Sequence, residues 1–384
     1  MLKMSQAFWS QAKRSDFEKL TLVEAATQCG LIRQRGSGFW ELDCFGSALA
    51  EKINRRLSKT MAGMGCHSVR FGLMQEQSLW DATGRHLDYG QELFSLNDRR
   101  GKQFRLAATA EEAATCAAKM HSNHGARDMW CYQIGAKWRD ETRARGALAR
   151  AREFEMLDAY SFCHSIDEAK RIHELSLDAF QKTLLALGVA CRAEPAGCGE
   201  VGGLESVELV CKSKELGDGD GNLELAHLFL LGDRYSKAFD LRGRTGEFLQ
   251  MGCQGVGTTR LLMALLESRR CATGFFGNEA ACSHLFWISA LDYQRNQSTR
   301  SAAEELCSHA GYDGILDDRD ESAGRKLRDA EGCMAAYRIV VSARSLATGK
   351  VEVKSMDGSA SFDASIEDAK CFISERRARA ALAG

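Results

Sequence analysis

Residues 137–162, KWRDETRARGALARAREFEMLDAYSF, join a dense positive charge to a strongly apolar end. The first sixteen positions hold six lysines and arginines against two acids, Asp140 and Glu141. An exposed helix would ordinarily place an acid one turn away from each arginine. The excess of positive charge between two segments of buried character therefore predicts a binding place for an anion. The alternative is an exposed hairpin whose arginines are only solvated.

Two strand-like segments, MWCYQIGAKWRDE and AREFEMLDAYSF, flank the basic loop. If the first strand continues through Arg139 and Glu141, alternation places both side chains on one face. Arg150, Arg152 and Phe154 share a face of the second strand by the same spacing. An arginine can hold a phosphate through two hydrogen bonds, and a carboxylate can accept one from an amino group. With an aromatic ring beside them, these residue types indicate a nucleotide site.

A second segment, MGCQGVGTTR at 251–260, places three glycines before a predicted helix whose first turn contains Arg260. Glycines allow a ligand to approach the backbone, and a helix N-terminus favours an anion. The Lys-Ser/Thr pair of a P-loop is missing, and no GxGxxG occurs. Two arginine-bearing segments so far apart in the chain predict a divided site for a triphosphate.

The order of these elements resembles that of motifs 2 and 3 of class II aminoacyl-tRNA synthetases. Over nearly its whole length the chain is similar to the bacterial prolyl-tRNA synthetases. The stretches that carry the resemblance, in family order, are GLIRQRGSGFWEL, KWRDETRARGALARAREFEMLDAYSF, HLFLLGDRYSKAF, MGCQGVGTTR and DDRDESAGRKLRDAEG.

The resemblance implies a fold and its domains. We expect an α+β catalytic domain with an antiparallel sheet, of the class II synthetase type, at 1–280. A C-terminal α/β anticodon-binding domain is expected at 281–384. Strands and helices that alternate from about residue 284 favour that α/β fold independently. The short loop 213–224 stands where many bacterial members carry an editing insertion.

The family motifs also imply roles for residues of an ATP site. Arg139 would contact the α-phosphate of ATP and the amino-acid carboxylate, and Arg260 the γ-phosphate, so these two are the predicted catalytic residues. Glu141 would contact the adenine amino group, and Phe154 would stack on the base. Arg150 and Thr259 complete the predicted ATP-binding set, and Mg²⁺ would bridge the phosphates.

The amino-acid pocket follows the family less closely. Thr109 and Glu111 match the Thr-x-Glu element that binds the substrate's amine, and Arg139 would hold its carboxylate. Ser206 and Val207 lie in the segment that lines the pocket in the family, but Val207 replaces a histidine and Leu209 an aromatic residue. The activity that the resemblance implies is ATP-dependent activation of proline and its transfer to tRNA. The alternatives are activation of another amino acid or a proline analogue, and transfer to an acceptor other than tRNA.

Composition limits the partners. The net charge of −1 argues against a uniformly basic coat for nucleic acid, so tRNA would meet local surfaces at its acceptor end and anticodon stem. No apolar run approaches a membrane span, and no secretion signal is recognisable. We therefore expect a cytoplasmic protein with no membrane contact, and the resemblance to the synthetase family implies that it is a homodimer. None of the fifteen cysteines forms a CxxC pair, which favours reduced thiols without a protein-bound metal.

The proline content is anomalous. Average usage of about 5% predicts roughly 19 prolines in 384 residues, whereas only Pro195 is present. An enzyme that supplies prolyl-tRNA but needs almost no proline can be synthesised when prolyl-tRNA is scarce or mischarged. This suggests a backup form or one resistant to a proline analogue; compositional drift or recoding is the alternative.

Overall fold

The computed structural model describes residues 2–9, 17–121 and 128–383, so residues 1, 10–16, 122–127 and 384 of the two predicted domains lie outside the described residues. The chain divides into two compact units. The first consists of Met1–Arg35, Glu41–Arg55 and Leu265–Gly384, and the second of Gly36–Trp40 and Arg56–Ala264. Among the helices described, none is both long and apolar enough to cross a membrane.

The α-helices of the described residues are α1 (Leu22–Gln28), α2 (Cys44–Gly63), α3 (Gln77–Thr83), α4 (Arg85–Tyr89), α5 (Glu111–His121), α6 (Ile166–Leu187), α7 (Arg234–Phe239), α8 (Thr258–Ser268), α9 (Gln297–Ala310), α10 (Ala323–Gly332), α11 (Ala343–Leu346) and α12 (Ile366–Ala383). Short 3₁₀ turns occur at Met4–Gln6, Phe17–Lys19, Gly90–Glu92, Ala147–Ala149 and Gly311–Asp313.

The strands are β1 (Leu2–Lys3), β2 (Ile32–Gly36), β3 (Phe39–Leu42), β4 (His67–Ser68), β5 (Met74–Glu76), β6 (Ser95–Asn97), β7 (Gln103–Leu106), β8 (Met129–Trp138), β9 (Glu153–Cys163), β10 (Arg192–Ala196), β11 (Glu205–Lys212), β12 (Asn222–Gly232), β13 (Gln250–Gly257), β14 (Arg270–Cys271), β15 (Gly274–Phe275), β16 (Phe286–Ala290), β17 (Gly314–Asp317), β18 (Tyr337–Val341), β19 (Val351–Ser355) and β20 (Ser361–Ala364).

A seven-stranded sheet in the order β10-β11-β12-β13-β9-β8-β4 forms the centre of the second unit. Its pairings are antiparallel except that of β4 with β8. Pro195 lies in the edge strand β10, where a missing N–H costs the sheet least. The antiparallel sheet expected from the sequence is thereby confirmed.

The helix α6 packs on this sheet, and its ends follow from the sequence. The Ser165 hydroxyl accepts a hydrogen bond from the Glu168 N–H at the N-terminus. Gly188 ends the helix with φ of 92°, a left-handed conformation that glycine adopts without strain. Both ends of the helix are therefore specified by residues local to it, as its apolar periodicity also is.

The first unit contains a six-stranded sheet in the order β1-β17-β16-β18-β19-β20. The strands β1, β17, β16 and β18 are parallel, and β19 and β20 add antiparallel. A buried core joins this sheet to the helices α9 and α12, with Phe286, Leu306 and Ile373 among its members. The alternating α/β pattern predicted for the C-terminal part is therefore confirmed.

Candidate active site

A cavity of about 270 Å³ lies within the second unit, along one face of the seven-stranded sheet. Its lining includes Arg139 and Arg260, so the two predicted phosphate-binding arginines share one cavity. The other predicted residues on its walls are Thr109, Glu111, Glu141, Arg150, Phe154 and Thr259. Segments separated by more than a hundred residues thus meet in one place, which is the geometry that a divided triphosphate site requires.

Arg139 lies directly after β8, so the prediction that Arg139 and Glu141 are strand residues is wrong. The strand ends at Trp138, where the chain enters the loop 139–152. The Arg139 N–H still donates a hydrogen bond to the Arg152 carbonyl at 3.0 Å. Arg150 and Arg152 likewise precede β9, and only Phe154 of the three predicted to share a face is a strand residue.

The Arg139 guanidinium has aromatic neighbours but few hydrogen bonds. Its central carbon lies 5.9 Å from the Tyr89 ring centroid and 5.3 Å from that of Phe154. One terminal nitrogen donates a long bond of 3.4 Å to the Ala108 carbonyl, and the buried Nε has no partner among the described residues. A guanidinium with five N–H donors and such sparse bonding has free capacity for an anionic ligand.

Glu141 and Arg150 form an ion pair on the cavity wall, with Arg150 Nε 2.7 Å from the carboxylate. The Arg143 N–H donates to the other carboxylate oxygen at 3.0 Å. Burial tends to raise the pKa of Glu141, but the hydrogen bonds from Arg150 and Arg143 lower the pKa below its ordinary value. Glu141 is therefore a carboxylate at neutral pH, able to accept from an amino group.

Arg260 belongs to the first turn of α8, which begins directly after the glycine-rich strand β13. Its side chain, 29% exposed, donates to the carbonyls of Ala149 and Glu224 at 2.9 and 3.1 Å. It also lies 3.1 Å from the Glu224 carboxylate. Thr259, beside it, is bound to the backbone of Glu155. The cation is thus held at the helix N-terminus by the cavity wall.

Thr109 and Glu111 lie at the start of α5, at another part of the cavity. Glu111 is fully buried and accepts hydrogen bonds from the Thr109 hydroxyl and, at 3.2 Å, from the Cys253 thiol. Arg85 Nη1 lies 3.0 Å from the carboxylates of both Glu111 and Glu112. The wall here is therefore a buried charge cluster with more carboxylates than cations.

The two carboxylates of this cluster differ in pKa. Burial raises the pKa of each, but Arg85 and the hydrogen bonds from Thr109 and Cys253 bring the pKa of Glu111 below its ordinary value. The pKa of Glu112 is raised, because burial and the charge of Glu111 outweigh Arg85. Glu111 is therefore the charged member, and a carboxylate facing a cavity is a sensible partner for an ammonium group.

A second buried ion pair joins β8 to β9. Lys137 Nζ lies 2.6 Å from Asp158, with side chains 0% and 3% exposed, and Asp158 also lines the cavity. Gln133 and the Tyr160 hydroxyl donate to the other oxygen of Asp158 at 2.8 and 2.7 Å. The Tyr160 oxygen accepts from the Ala110 N–H at 3.0 Å. This network links the sheet floor to the segment that carries Thr109 and Glu111.

Ser206 and Val207 are not among the residues that line this cavity. In β11, Val207 pairs with Leu228, so its side chain lies on the face opposite to that of the cavity-lining His227. Ser206 faces the cavity side but is occupied by the carbonyls of Ala196 and Gly197 at 3.0 and 3.2 Å. The place of both residues in the amino-acid pocket stays a prediction, since strand alternation turns Val207 away from this cavity and the Ser206 hydroxyl is bonded to backbone carbonyls.

His227 lies on the cavity wall. Its ring stacks on Phe229 with centroids 3.9 Å apart. Nε2 lies 3.0 Å from the Ser206 hydroxyl, and Nδ1 lies 3.5 Å from a Glu208 oxygen. Atoms of Glu208, Glu224 and His227 lie within 4.8 Å of one another, a grouping that could hold a cation.

Sequence reasoning missed Arg85, Asp158 and Cys253. Arg85 lies in the polar segment WDATGRHLDYG, where nothing local marks a buried arginine. The only signal was the charge of Glu111-Glu112 at the start of a helix with apolar neighbours, since two buried carboxylates require a cation.

Comparison with known families gives the chain a class. A family described as "tRNA synthetase class II core domain (G, H, P, S and T)" matches residues 94–269, which include the residues that line the cavity except Tyr89. "Anticodon binding domain" matches residues 290–376, which contain the strands β17 to β20 of the first unit. The fold and the cavity thus define a class II aminoacyl-tRNA synthetase.

Individual relatives narrow the class. A protein of Rattus norvegicus, "Probable proline--tRNA ligase, mitochondrial", is 30% identical over 83% of this chain and 77% of its own length. "Proline--tRNA ligase" of Anaplasma phagocytophilum (strain HZ) is 26% identical over 85% of this chain and 89% of its length. The chain belongs to the proline--tRNA ligase family.

Solved structures agree in fold. The Cryptosporidium parvum prolyl-tRNA synthetase complexed with L-proline and AMP superposes with a TM-score of 0.77, covering 94% of this chain and 78% of the other. The sequence identity is 16%, so this likeness concerns the fold alone.

Proposed function

We propose that this chain activates proline with ATP and transfers it to the 3′ end of tRNA. The observation that carries the proposal is the convergence of Arg139, Arg260 and Glu111 on one cavity. Two cations suit a polyphosphate, and the buried carboxylate suits the ammonium of an amino acid. Membership of the proline--tRNA ligase family supports proline as that amino acid.

Each side chain has a proposed role. Arg139 holds the α-phosphate of ATP and the carboxylate of proline, and its sparse hydrogen bonding supports this. Arg260 holds the γ-phosphate, with Thr259 and Arg150 beside it. Glu141 accepts from the adenine amino group, and Phe154 stacks on the base.

The proposed reaction needs no protein nucleophile. A carboxylate oxygen of proline attacks the α-phosphorus, and the bond to the bridging oxygen breaks as pyrophosphate leaves. A ribose hydroxyl at the 3′ end of tRNA then attacks the acyl carbon, and AMP leaves. The residues accelerate both steps by holding the reactants and by balancing developing negative charge.

Glu208, Glu224 and His227 are proposed to hold Mg²⁺ when ATP is bound. Two carboxylates offer the oxygen ligands that Mg²⁺ prefers, and their ligand atoms lie within 4.8 Å of one another and of the His227 ring. Mg²⁺ would supply positive charge to the phosphates. Before ATP binds, Glu224 is paired with Arg260, so this carboxylate must exchange one cation for another.

Partners and boundaries complete the proposal. The match of residues 290–376 to an anticodon-binding family supports contact with the anticodon stem of tRNA. We propose domains at 1–280 and 281–384 and a homodimer in the cytoplasm. Light scattering tests the dimer, since twice the mass of the 384-residue chain is expected. Limited proteolysis tests the boundary, with cleavage near residue 280.

Pyrophosphate exchange driven by each of the twenty amino acids tests the activity. Proline should support exchange best, and tRNA should then become charged. No exchange with proline, but exchange with another amino acid, would reject the substrate. Exchange with proline but no charging of tRNA would favour the alternative acceptor.

A backup or analogue-resistant role is favoured by one observation, the single proline at Pro195. Proline in loops stabilises a fold by restricting the unfolded chain, by about 0.4–1 kcal/mol per site. Near-complete loss of proline therefore forgoes stability, which supports selection for synthesis without proline. We expect translation of this chain to continue under proline starvation and activation of a four-membered-ring proline analogue to be weak. The role would be contradicted if, under proline starvation, synthesis of this chain stopped together with the synthesis of proline-rich proteins, and if the enzyme readily activated the analogue.

A further inference from the structure

The loop between β11 and β12, residues 213–221, has a fixed shape of its own. The Ser213 N–H bonds the Gly221 carbonyl at 3.0 Å, and the Gly221 N–H bonds the Asp218 carbonyl at 2.7 Å. The Leu216 N–H donates to the Ser213 hydroxyl at 2.8 Å. A Cβ built on Gly217 would lie 2.7 Å from the Gly221 backbone, so the middle of the loop packs against its C-terminal end.

This loop contacts the 139–152 loop at two points. The Leu216 side chain is only 6% exposed although it belongs to a surface loop. A Cβ built on Gly146 would lie 3.0 Å from Leu216 Cδ2, so the leucine packs directly on that glycine, whose φ is 61°. Beside it, Arg145 forms an ion pair with Asp218. An apolar contact and a charge pair thus join the two loops.

The contacted residues adjoin the cavity wall. Leu148, Ala149, Arg150 and Ala151 line the cavity, and the Arg145 N–H bonds the Arg150 carbonyl at 3.1 Å. The Ala149 carbonyl accepts the 2.9 Å bond from Arg260 described above. Movement of residues 145–146 would therefore displace both the Glu141–Arg150 pair and an acceptor of Arg260.

We propose that the 213–221 loop positions the ATP-binding wall, with Leu216 and Asp218 as its positioning residues. Leu216 holds Gly146, Asp218 holds Arg145, and the short segment between them and Arg150 transmits the restraint. Neither residue lines the cavity, so each acts only through the wall residues that are proposed to bind ATP. The expected effect is therefore on the affinity for ATP. This inference rests on the proposed function of the cavity.

The test measures pyrophosphate exchange by the full chain for Leu216→Ala and Asp218→Asn. The KM for ATP should rise about ten-fold for the first, because a buried leucine is lost. For the second, an exposed pair, it should rise about two- to five-fold. The KM for proline and kcat should stay within about two-fold of the unaltered enzyme, since the loop does not reach residues 109–111. Asp178→Asn is the matched control, because Asp178 forms a similarly exposed ion pair with Lys182 on α6.

A charge exchange separates positioning from general destabilisation. Arg145→Asp alone should raise the KM for ATP, and Arg145→Asp combined with Asp218→Arg should restore it to within about two-fold. The proposal is overturned if both Leu216→Ala and Asp218→Asn leave the KM for ATP unchanged. The proposal is also overturned if kcat falls and the KM values for ATP and proline rise to the same degree, together with a lowered Tm, and if the double charge exchange does not restore them.

Failure of the proposed function is distinguishable from failure of this inference. If the unaltered enzyme exchanges no pyrophosphate with proline, the function fails. Equilibrium binding of a non-hydrolysable ATP analogue then measures the same affinity ratios among the variants. Ratios near one would overturn the positioning role, and the ratios given above would support it.

Discussion

Replacing Arg139 with alanine should remove nearly all adenylate formation and little of the stability. In the structure the guanidinium makes one hydrogen bond of 3.4 Å and two ring contacts beyond 5 Å. Each ring contact contributes about 0.5–1 kcal/mol at such a site. The free energy of unfolding should therefore fall by only about 1–2 kcal/mol.

The effect on the reaction is larger. A hydrogen bond to a charged group contributes about 1.5–3 kcal/mol, and a bidentate phosphate contact makes two of them. The loss of about 3–6 kcal/mol of transition-state stabilisation corresponds to a fall of about 10²- to 10⁴-fold in kcat/KM. Arg139→Lys should recover only part of this, because an ammonium group keeps the charge but not the paired geometry.

Pyrophosphate exchange and urea unfolding, measured on the same preparations, test this reasoning. Arg242→Ala is the control, since its guanidinium lies 3.9 Å from the Phe248 ring centroid but lines no part of the cavity. It should lose similar stability and no activity. A folded Arg139→Ala enzyme with kcat/KM within ten-fold of the unaltered enzyme would refute the assignment.

Three further changes probe the fold. Gly203→Ala should lower the free energy of unfolding by about 1–3 kcal/mol, because φ is 131° and the new Cβ would lie 2.8 Å from the Leu230 carbonyl oxygen. The control Gly219→Ala should not lower it, because a Cβ there would have no neighbour within 4 Å. Equal urea midpoints for the two variants would contradict this reasoning. Burial, with the nearby Lys52 charge, lowers the pKa of His284 to about 4. Between about pH 6.5 and pH 4, the unfolded chain binds a proton at His284 and the folded chain does not. The free energy of unfolding should therefore drop by up to about 3 kcal/mol as the pH falls through this range. Urea titrations of a His284→Leu variant should show a shallower decline, and an unchanged slope would exclude His284 as the cause. Arg85→Met should cost about 3–5 kcal/mol by leaving buried carboxylates without their cation, and a loss under 1 kcal/mol would show that they are protonated instead.

The helices and strands with local signals were predictable. α6 carries its own serine cap, glycine end and apolar periodicity, and β13 with α8 carries its glycines and following apolar face. The end of β8 was not predictable, because Arg139 and Glu141 alternate with their neighbours as a strand would. Where the strand ends, the N–H groups of residues 139 and 140 donate to the carbonyls of the distant residues Arg152 and Glu92. The local sequence carries no signal for these long-range hydrogen bonds.

The sequence by itself determined the family and the two kinds of sheet, because motif order and residue chemistry are properties of the chain. It also singled out eight residues that line the cavity, out of ten predicted for the site. Tertiary structure decided that Arg139 and Arg260 share one cavity and that Val207 lies on the wrong face of β11 for it. It also decided that Arg85 holds the carboxylates of α5. Convergence, strand facing and buried ion pairing depend on contacts between segments far apart in the chain, whose free energy exists only once the sheet has formed.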